Sequence, residues 1–423
     1  MGTDRIVLGK DCIYSADPAK TGINKNVVVV GGAGSGKTVS IVEPNLIETL
    51  KSKNPDNLIV ICTKRRIADK YIPEFKSKGF TVYDLNFSNP EAGNCTYDPL
   101  FYVNNEEDIT ELSKAIVMAN ERKEHSNADP FWDDSSIALL GAEIGLVLIT
   151  QKEPSFADVL DTHYNLKFEE VGSGIETSLD AAFNRIEYVT PDCYAVNLWK
   201  TFCEAAPKTA KSIYVSMNST LSAFTRDIRN CIKTKRKINF DRFAKEKSII
   251  FITTSPVKKS LHSLANMFVA QAVSELFNIA ETQAFGMLER PTTIVFDDFA
   301  TGAKVADMPE KISICREKGI SFLLLLQSES QLEKMYNRWG SIEILDNCDS
   351  YVFMGGNNYE TARSVSLKLN APIEEVLYLP TNKEIIFRRG SRPIITNRYN
   401  IMQDEWYQKI TQEYEKRILL RER

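Results

Sequence analysis

Short apolar runs punctuate this chain, each closed by a turn or a polar group. The first three are Asn26-Val27-Val28-Val29-Val30, Asn57-Leu58-Ile59-Val60-Ile61-Cys62 and Thr81-Val82-Tyr83-Asp84-Leu85-Asn86. They are rich in β-branched residues and alternate little with polar ones, the pattern of strands covered on both faces, so they predict a parallel sheet. The stretches between them are long enough for helical crossovers. Strand, helix, strand, helix, strand at this spacing predicts an α/β unit with right-handed connections and a ligand site at the carboxyl ends of the strands. A helix is expected from about Thr38 to Lys53, with Pro44 kinking it or sitting in its first turns. Residues 4–25, with turn formers around Pro18 and Gly22, are expected to wrap the edge of the first sheet.

From about Asn104 to Lys245 the period changes. Ile137, Leu140, Ile144, Val147 and Leu148 fall on one helical face, and Leu179 to Phe183 and Ser212 to Phe224 continue in that style. This predicts a helical insertion, either a scaffold or a substrate-facing cap. Strand-like runs resume at Ser248–Thr253, Thr292–Phe296, Ser321–Leu326, Ser350–Phe353 and Glu384–Phe387. Arg392-Pro393-Ile394-Ile395-Thr396 is expected at the sheet edge, because proline at its start blunts pairing. Residues 404–423 read as a polar helix or a loose tail. The chain therefore divides into 1–103, a helical 104–245, and 246–423.

Composition bounds the reading. At 423 residues, 43% hydrophobic and 26% charged, the chain is an ordinary globular protein of about two or three domains. Its net charge of −4 supplies no global basic field, so nucleic acid would be handled by a local patch, a loop-lined pore or a partner. The eight cysteines are scattered without C-x2-C spacing, as expected of buried thiols in a reducing cytosol. No signal peptide and no apolar window of about 18 residues appears. Met1-Gly2-Thr3 running straight into Ile6-Val7-Leu8-Gly9 is abrupt, and suggests a start that has replaced something upstream.

The chemistry begins directly after the first strand. Gly31-Gly32-Ala33-Gly34-Ser35-Gly36-Lys37-Thr38 is a complete Gly-x4-Gly-Lys-Thr phosphate-binding loop between a strand and a helix. Gly31, Gly34, Ser35 and Gly36 let the backbone N–H groups meet phosphate oxygens, Lys37 reaches the β- and γ-phosphates, and Thr38 places a hydroxyl on Mg²⁺. Thr292-Thr293-Ile294-Val295-Phe296-Asp297-Asp298 is a strand ending in two carboxylates, a Walker B pattern: Asp297 completes the Mg²⁺ site and Asp298 polarises the attacking water. Asp298 stands where many such ATPases carry Glu, one methylene longer, which makes its reach to that water the weak point. Gln327 ends the next buried strand and can sense the γ-phosphate. Arg316, ahead of that strand, is a candidate arginine finger acting on a neighbouring subunit's nucleotide, with a surface ion pair to Glu317 or Asp307 as the alternative. Lys64-Arg65-Arg66 and Lys233-Thr234-Lys235-Arg236-Lys237 read as solvated turns that could instead face nucleotide or DNA. His125, His163 and His262 are far apart and suggest neither a metal site nor a triad.

These residues, in this order, resemble the cytosolic part of type IV coupling proteins of the TraG/VirD kind, which serve conjugation and type IV secretion. The resemblance runs over most of the chain: Leu8-Gly9, Gly31 to Thr38, Lys64, Asp98-Pro99-Leu100 where the family has Asn-Pro-Leu, and Phe131-Trp132 opening the insertion. It continues through Phe296-Asp297-Asp298-Phe299-Ala300, Gly319-Ile320 leading to Gln327, Gln331-Leu332, Tyr336, Asn347-Cys348, and Thr361-Ala362 with Ser366. Lys64 lacks the family's preceding Asp. The resemblance implies a RecA-like P-loop NTPase domain interrupted by an all-α domain, using ATP and Mg²⁺ and assembled as a homo-hexamer with ATP at subunit interfaces. It further implies a relaxase–DNA complex, single-stranded DNA and type IV secretion channel components as partners. Membrane attachment would come through an N-terminal anchor that this chain lacks. Two other readings remain at this level: an ATP-binding adaptor for secretion substrates with little hydrolysis, and a DNA translocase not linked to secretion.

Overall fold

The computed structural model describes residue 3 and residues 5–118, 130–171, 174–255, 257–300 and 304–421. The apolar runs become the strands of one nine-stranded sheet. In chain order these are β1 (Val27–Val30), β2 (Asn57–Cys62), β3 (Thr81–Asn86), β4 (Ser248–Thr253), β5 (Thr292–Phe296), β6 (Ile320–Leu326), β7 (Ser350–Phe353), β8 (Lys383–Arg388) and β9 (Ile394–Asn397). Across the sheet they lie β9-β8-β7-β1-β6-β5-β2-β4-β3. The pairs from β7 to β3 are parallel, and β8 and β9 add antiparallel. The run after Pro393 is the edge strand, as its proline predicts.

Strands that are neighbours in sequence are not neighbours in space. β6 and β5 separate β1 from β2, and β4, which follows the insertion, slots between β2 and β3. The carboxyl ends of β1, β5 and β6 are thereby adjacent, and that end carries the chemistry.

The helix expected over Thr38 to Lys53 is two pieces. Thr38–Val42 forms a π-helical turn, in which Glu43 N–H reaches back to Thr38 O, and an α-helix then runs from Glu43 to Lys51. Pro44 has no N–H to donate and its ring crowds the preceding turn, so the wider turn ahead of it and its place in the first turn of the α-helix accommodate it.

The described residues between 104 and 245 are mainly helical, with Pro130–Thr150 as their centre. Leu140, Ile144 and Val147 face a core continuous with one face of the sheet, while Leu139, Ala142 and Leu146 face a second cluster containing Phe183, Trp199 and Phe202. A helix clothed on both sides explains why its apolar residues exceed one stripe. Among the described residues the insertion departs from all-α at Lys237, which bridges to Thr96, and where Phe168–Val171 and Gly174–Thr177 pair as two antiparallel strands. Phe168 packs there against Phe202 and Tyr214, so one face of the ribbon is covered.

The basic run of residues 233–237 is partly exposed, yet its lysines are tied to other segments. Lys235 donates to the carbonyls of Pro90, Glu91 and Gly93 at 2.8, 2.8 and 2.6 Å, and Lys233 pairs with Asp158 and Asp161. Lys237 lies 2.7 Å from the fully buried Asp98, which also accepts from Leu100 N–H and Phe156 N–H. A buried carboxylate is costly unless paired. Lys237 supplies that pairing for Asp98. The run fastens the insertion to the first part of the sheet.

Residues 5–15 form a hairpin, Arg5–Gly9 with Cys12–Ser15, joined to the sheet edge through Lys10 N–H to Asn397 O at 2.9 Å. The carboxyl-terminal stretch is a docked helix, Glu405–Arg421, with Tyr407 and Ile410 buried. Lys70 Nζ sits 3.5 Å from the Tyr407 ring centroid and 2.8 Å from Glu43 Oε2, so this helix, the helix Arg65–Ser77 and the helix beginning at Glu43 meet around one buried cation. All eight cysteines are unpaired thiols. His163 is fully buried against Glu143, with Nδ1 2.9 Å from Oε1, where it joins two helices of the insertion; His125 lies outside the described residues.

Candidate active site

β1 is buried along its whole length between β6 and β7, so the glycine loop leaves it at a fixed height. Gly31 N–H donates to Leu326 O at 3.1 Å and Gly32 N–H to Gly355 O at 2.9 Å, which ties the loop to both neighbouring strand ends. Gly34 and Gly36 have φ of +75° and +80°, backbone that only glycine adopts without strain. At Gly31 the need is steric, because a Cβ there would lie 2.6 Å from Ser35 Oγ.

Lys37 curls over the loop, with Nζ 2.5 Å from Gly31 O and 3.2 Å from Gly32 O. Burial draws its amine below the ordinary lysine value, and the carboxylates of Asp298 and Asp297 oppose that. The Thr38 hydroxyl lies 2.5 Å from Asp297 Oδ1 across 259 residues of sequence. A hydroxyl beside a carboxylate is the donor set a hard divalent cation takes, and it stands next to a loop whose N–H groups suit phosphate. The residues therefore fit a magnesium nucleotide.

Asp297 and Asp298 follow β5, with Asp297 N–H held by Ile61 O at 3.1 Å. Burial raises both carboxyls above their usual range; the Thr38 hydrogen bond opposes this at Asp297, and the Gln327 hydrogen bond opposes it at Asp298. Gln327, at the end of β6, thus meets Asp298, and its own N–H is held by Gln331 Oε1 at 3.3 Å. Phe299, next in the chain, stacks on Tyr336 at 5.9 Å and fixes the turn that follows the carboxylates.

Arg316 is not brought to this group. It lies in the short turn Arg316–Lys318 ahead of β6, at the opposite end of that seven-residue strand from Gln327, a separation of roughly 23 Å at about 3.3 Å per residue. Its side chain is exposed, and among the described residues it has no ion pair; Asp307 pairs with Lys114 instead.

Three basic side chains, Lys64, His262 and Arg398, were missed or undervalued in the sequence. Lys64 caps the helix Arg65–Ser77 at the carboxyl end of β2, where its charge bears on both Asp297 and Asp298. Its position at a strand's carboxyl end was the available signal. Arg65 beside it is spent on Asp84, at 2.5 and 2.7 Å, and on Asp69 at 2.8 Å. His262 bonds Ser255 O at 2.9 Å, and its ring lies close to Asp298. Arg398 donates from Nη1 to Ser35 O at 2.5 Å and from Nη2 to Met354 O at 2.6 Å. Being 363 residues from Ser35, it carried no sequence signal.

Glu384, near Arg398, is fully buried, and neither carboxylate oxygen has a hydrogen-bond partner. A Cβ on Gly9 would collide with its Oε1, so Gly9 makes room for it. Burial pushes the carboxyl up to about 8 from an ordinary value of 4.5, with Arg398 opposing. Between these values the folded chain holds a proton that the unfolded chain has lost, so stability falls as pH rises from 4.5 towards about 8 and is flat above. Glu384→Gln removes this loss. Thermal unfolding should show the variant matching the wild type near pH 4.5 and exceeding it above pH 8, by on the order of a few kcal/mol at about 1.4 kcal/mol per pKa unit. Parallel pH profiles for the two proteins would contradict the assignment.

A glycine loop after a central parallel strand, with carboxylates one strand away and a polar strand end between, defines the P-loop nucleoside-triphosphatase class with a RecA-like sheet. Within it, residues 3–371 match the family model of type IV secretory system conjugative DNA transfer. The chain belongs to this family, the type IV coupling proteins. No curated protein matches the chain in sequence. Among solved structures it is similar to the bacterial conjugative coupling protein TrwBΔN70 in complex with sulphate, with a TM-score of 0.67 at 16% identity over 89% of this chain and 86% of that one. The plasmid coupling protein TrwB in complex with ADP and Mg²⁺ gives the same values. VirB4 of Thermoanaerobacter pseudethanolicus follows, with a TM-score of 0.57 at 13% identity over 95% of this chain and 97% of that one. At these identities the likeness to the solved structures establishes the fold.

Proposed function

We propose that this coupling protein is an ATPase that binds ATP with Mg²⁺ at the loop Gly31–Thr38 and couples hydrolysis to moving a relaxase–DNA substrate to the secretion channel. The observation that carries it is the 2.5 Å contact between Thr38 and Asp297, two residues from distant parts of the chain that together form a cation site beside a phosphate cradle. The TrwB structures with ADP and Mg²⁺ and with a non-hydrolysable ATP analogue support the same ligand here. Bound Mg²⁺-ATP would supply the γ-phosphoryl group that is transferred to water. Lys37 stabilises the charge that develops on its oxygens, Thr38 and Asp297 hold the cation, Asp298 accepts the water's proton, and Gln327 orients that water through its bond to Asp298.

Arg316, remote from its own loop, completes a neighbour's site in a homo-hexamer. Residues 1–103 and 246–423 form the nucleotide-binding domain, and residues 104–245 face the relaxase–DNA complex. Single-stranded DNA and channel components are its other partners, and the working place is the cytoplasmic face of the membrane, reached through an N-terminal anchor. No helix among the described residues is long and apolar enough to cross a membrane. The test is ATP turnover and native mass with and without single-stranded DNA. Turnover and mass should both rise with DNA; a chain that neither assembles nor hydrolyses ATP under any of these conditions rejects the motor. Asp298 in place of the commoner Glu favours one other reading, an adaptor that holds ATP with little hydrolysis.

A further inference from the structure

Arg398 follows the edge strand β9, far from every sequence motif, yet its guanidinium is committed to the phosphate loop. Nη1 lies 2.5 Å from Ser35 O, Nη2 lies 2.6 Å from Met354 O after β7, and Nε lies 3.3 Å from Lys383 O at the start of β8. A planar fork with fixed nitrogen spacing can hold two carbonyls at once. We propose that Arg398 is a positioning residue for nucleotide binding, which sets the orientation of the Ser35–Gly36 peptide and so aims the Gly36 N–H at phosphate.

The reason is peptide geometry. In a planar trans peptide the C=O and the following N–H point in opposite directions. Holding the Ser35 carbonyl out towards Arg398 turns the Gly36 N–H the other way, into the loop's concavity. Gly36 is also fixed on its far side, where its carbonyl accepts from Ser40 N–H at 2.8 Å. Its φ of +80° is one that a freed glycine leaves readily. The loop therefore needs an outside restraint to keep its donors convergent, and Arg398 is that restraint. Its second arm holds the residue next to Gly355, whose carbonyl already accepts from Gly32 N–H at 2.9 Å, so the loops after β1 and β7 are clasped together.

The charge is also available. Glu384 spends neither oxygen on Arg398, and the guanidinium is close enough to bear on the Lys37 amine. Arg398 thus adds positive field to the anion site. The strand pair itself does not depend on this side chain. β8 and β9 are joined by their own ladder, and the Arg398 N–H donates to Asn382 O at 2.9 Å whatever the side chain is.

The inference rests on the reading of the loop as a nucleotide site, and one titration separates the two. MgADP is titrated calorimetrically into the wild type, Arg398→Ala and Arg398→Lys, with nucleotide-free melting and kcat at saturating ATP measured alongside. Arg398→Ala should weaken MgADP binding by about tenfold or more, the loss of one charge-assisted contact. The nucleotide-free melting point should stay close to that of the wild type, and the turnover defect should sit in KM rather than kcat. Arg398→Lys, which keeps the charge but offers one nitrogen, should recover less than half of the loss on a logarithmic scale. Affinity unchanged in Arg398→Ala overturns the inference and leaves the nucleotide site standing. Full rescue by Arg398→Lys overturns the positioning role in favour of charge alone. A wild type that does not bind MgADP overturns both.

Discussion

Lys37→Ala is expected to lower ATP turnover by about 10²- to 10³-fold, the usual cost of removing one preorganised group that stabilises transition-state charge. The loop offers no substitute. Among the described residues Lys64 and Arg398 are also near, but Lys64 bears on the carboxylates and Arg398 is bound to the carbonyls of Ser35 and Met354. The fold should survive, because the Lys37 amine contacts only the carbonyls of Gly31 and Gly32 and the loop's ties to Leu326 and Gly355 are backbone bonds. The measurement is steady-state phosphate release with the melting point as control. Equal rates for variant and wild type would remove the enzyme claim.

Asp298→Asn should reduce turnover by about 10²- to 10⁴-fold, the range for losing a positioned general base, with nucleotide affinity largely kept. An amide presents the same shape to Gln327 but accepts no proton. The companion variant bears on the adaptor reading. The pocket is built around the shorter acid, since Asp298 is already engaged by Gln327 and lies among Lys37, Lys64 and the His262 ring. Asp298→Glu should therefore leave turnover within about threefold of the wild type, well short of a general base's worth. A gain of tenfold or more would show instead that the natural residue is tuned for holding ATP. Phosphate release with each variant, normalised to bound nucleotide, decides between them.

Much of this site was legible in the chain, because its parts are local. A phosphate loop needs a buried strand, glycines at fixed spacing and a helix start, and all three are contiguous from Val27 to Glu43. Asp297 and Gln327 could be placed for the same reason, since each ends an apolar run and strand ends share one side of a parallel sheet. The helix after the loop was harder to read: Pro44 was visible, but whether the chain kinks, stops or widens into a π-turn depends on what packs around Ile41 and Val42, both buried. The basic run at 233–237 misled because a charge run looks the same in sequence whether water or a partner solvates it. Its partners at Asp98, Asp158, Asp161 and the carbonyls of Pro90, Glu91 and Gly93 come from other segments.

By itself, then, the sequence determined that this protein has a parallel α/β sheet with a helical insertion, a nucleotide loop and a second acidic strand, and that it resembles the coupling proteins. Those properties follow from hydrophobic period and from residues within a few positions of each other. The tertiary structure alone decided the strand order, the commitment of Arg398 to Ser35, and the placing of Lys64 and His262 near Asp298. Each of these joins segments tens to hundreds of residues apart, and such contacts are chosen by how the whole core packs, which no local pattern encodes.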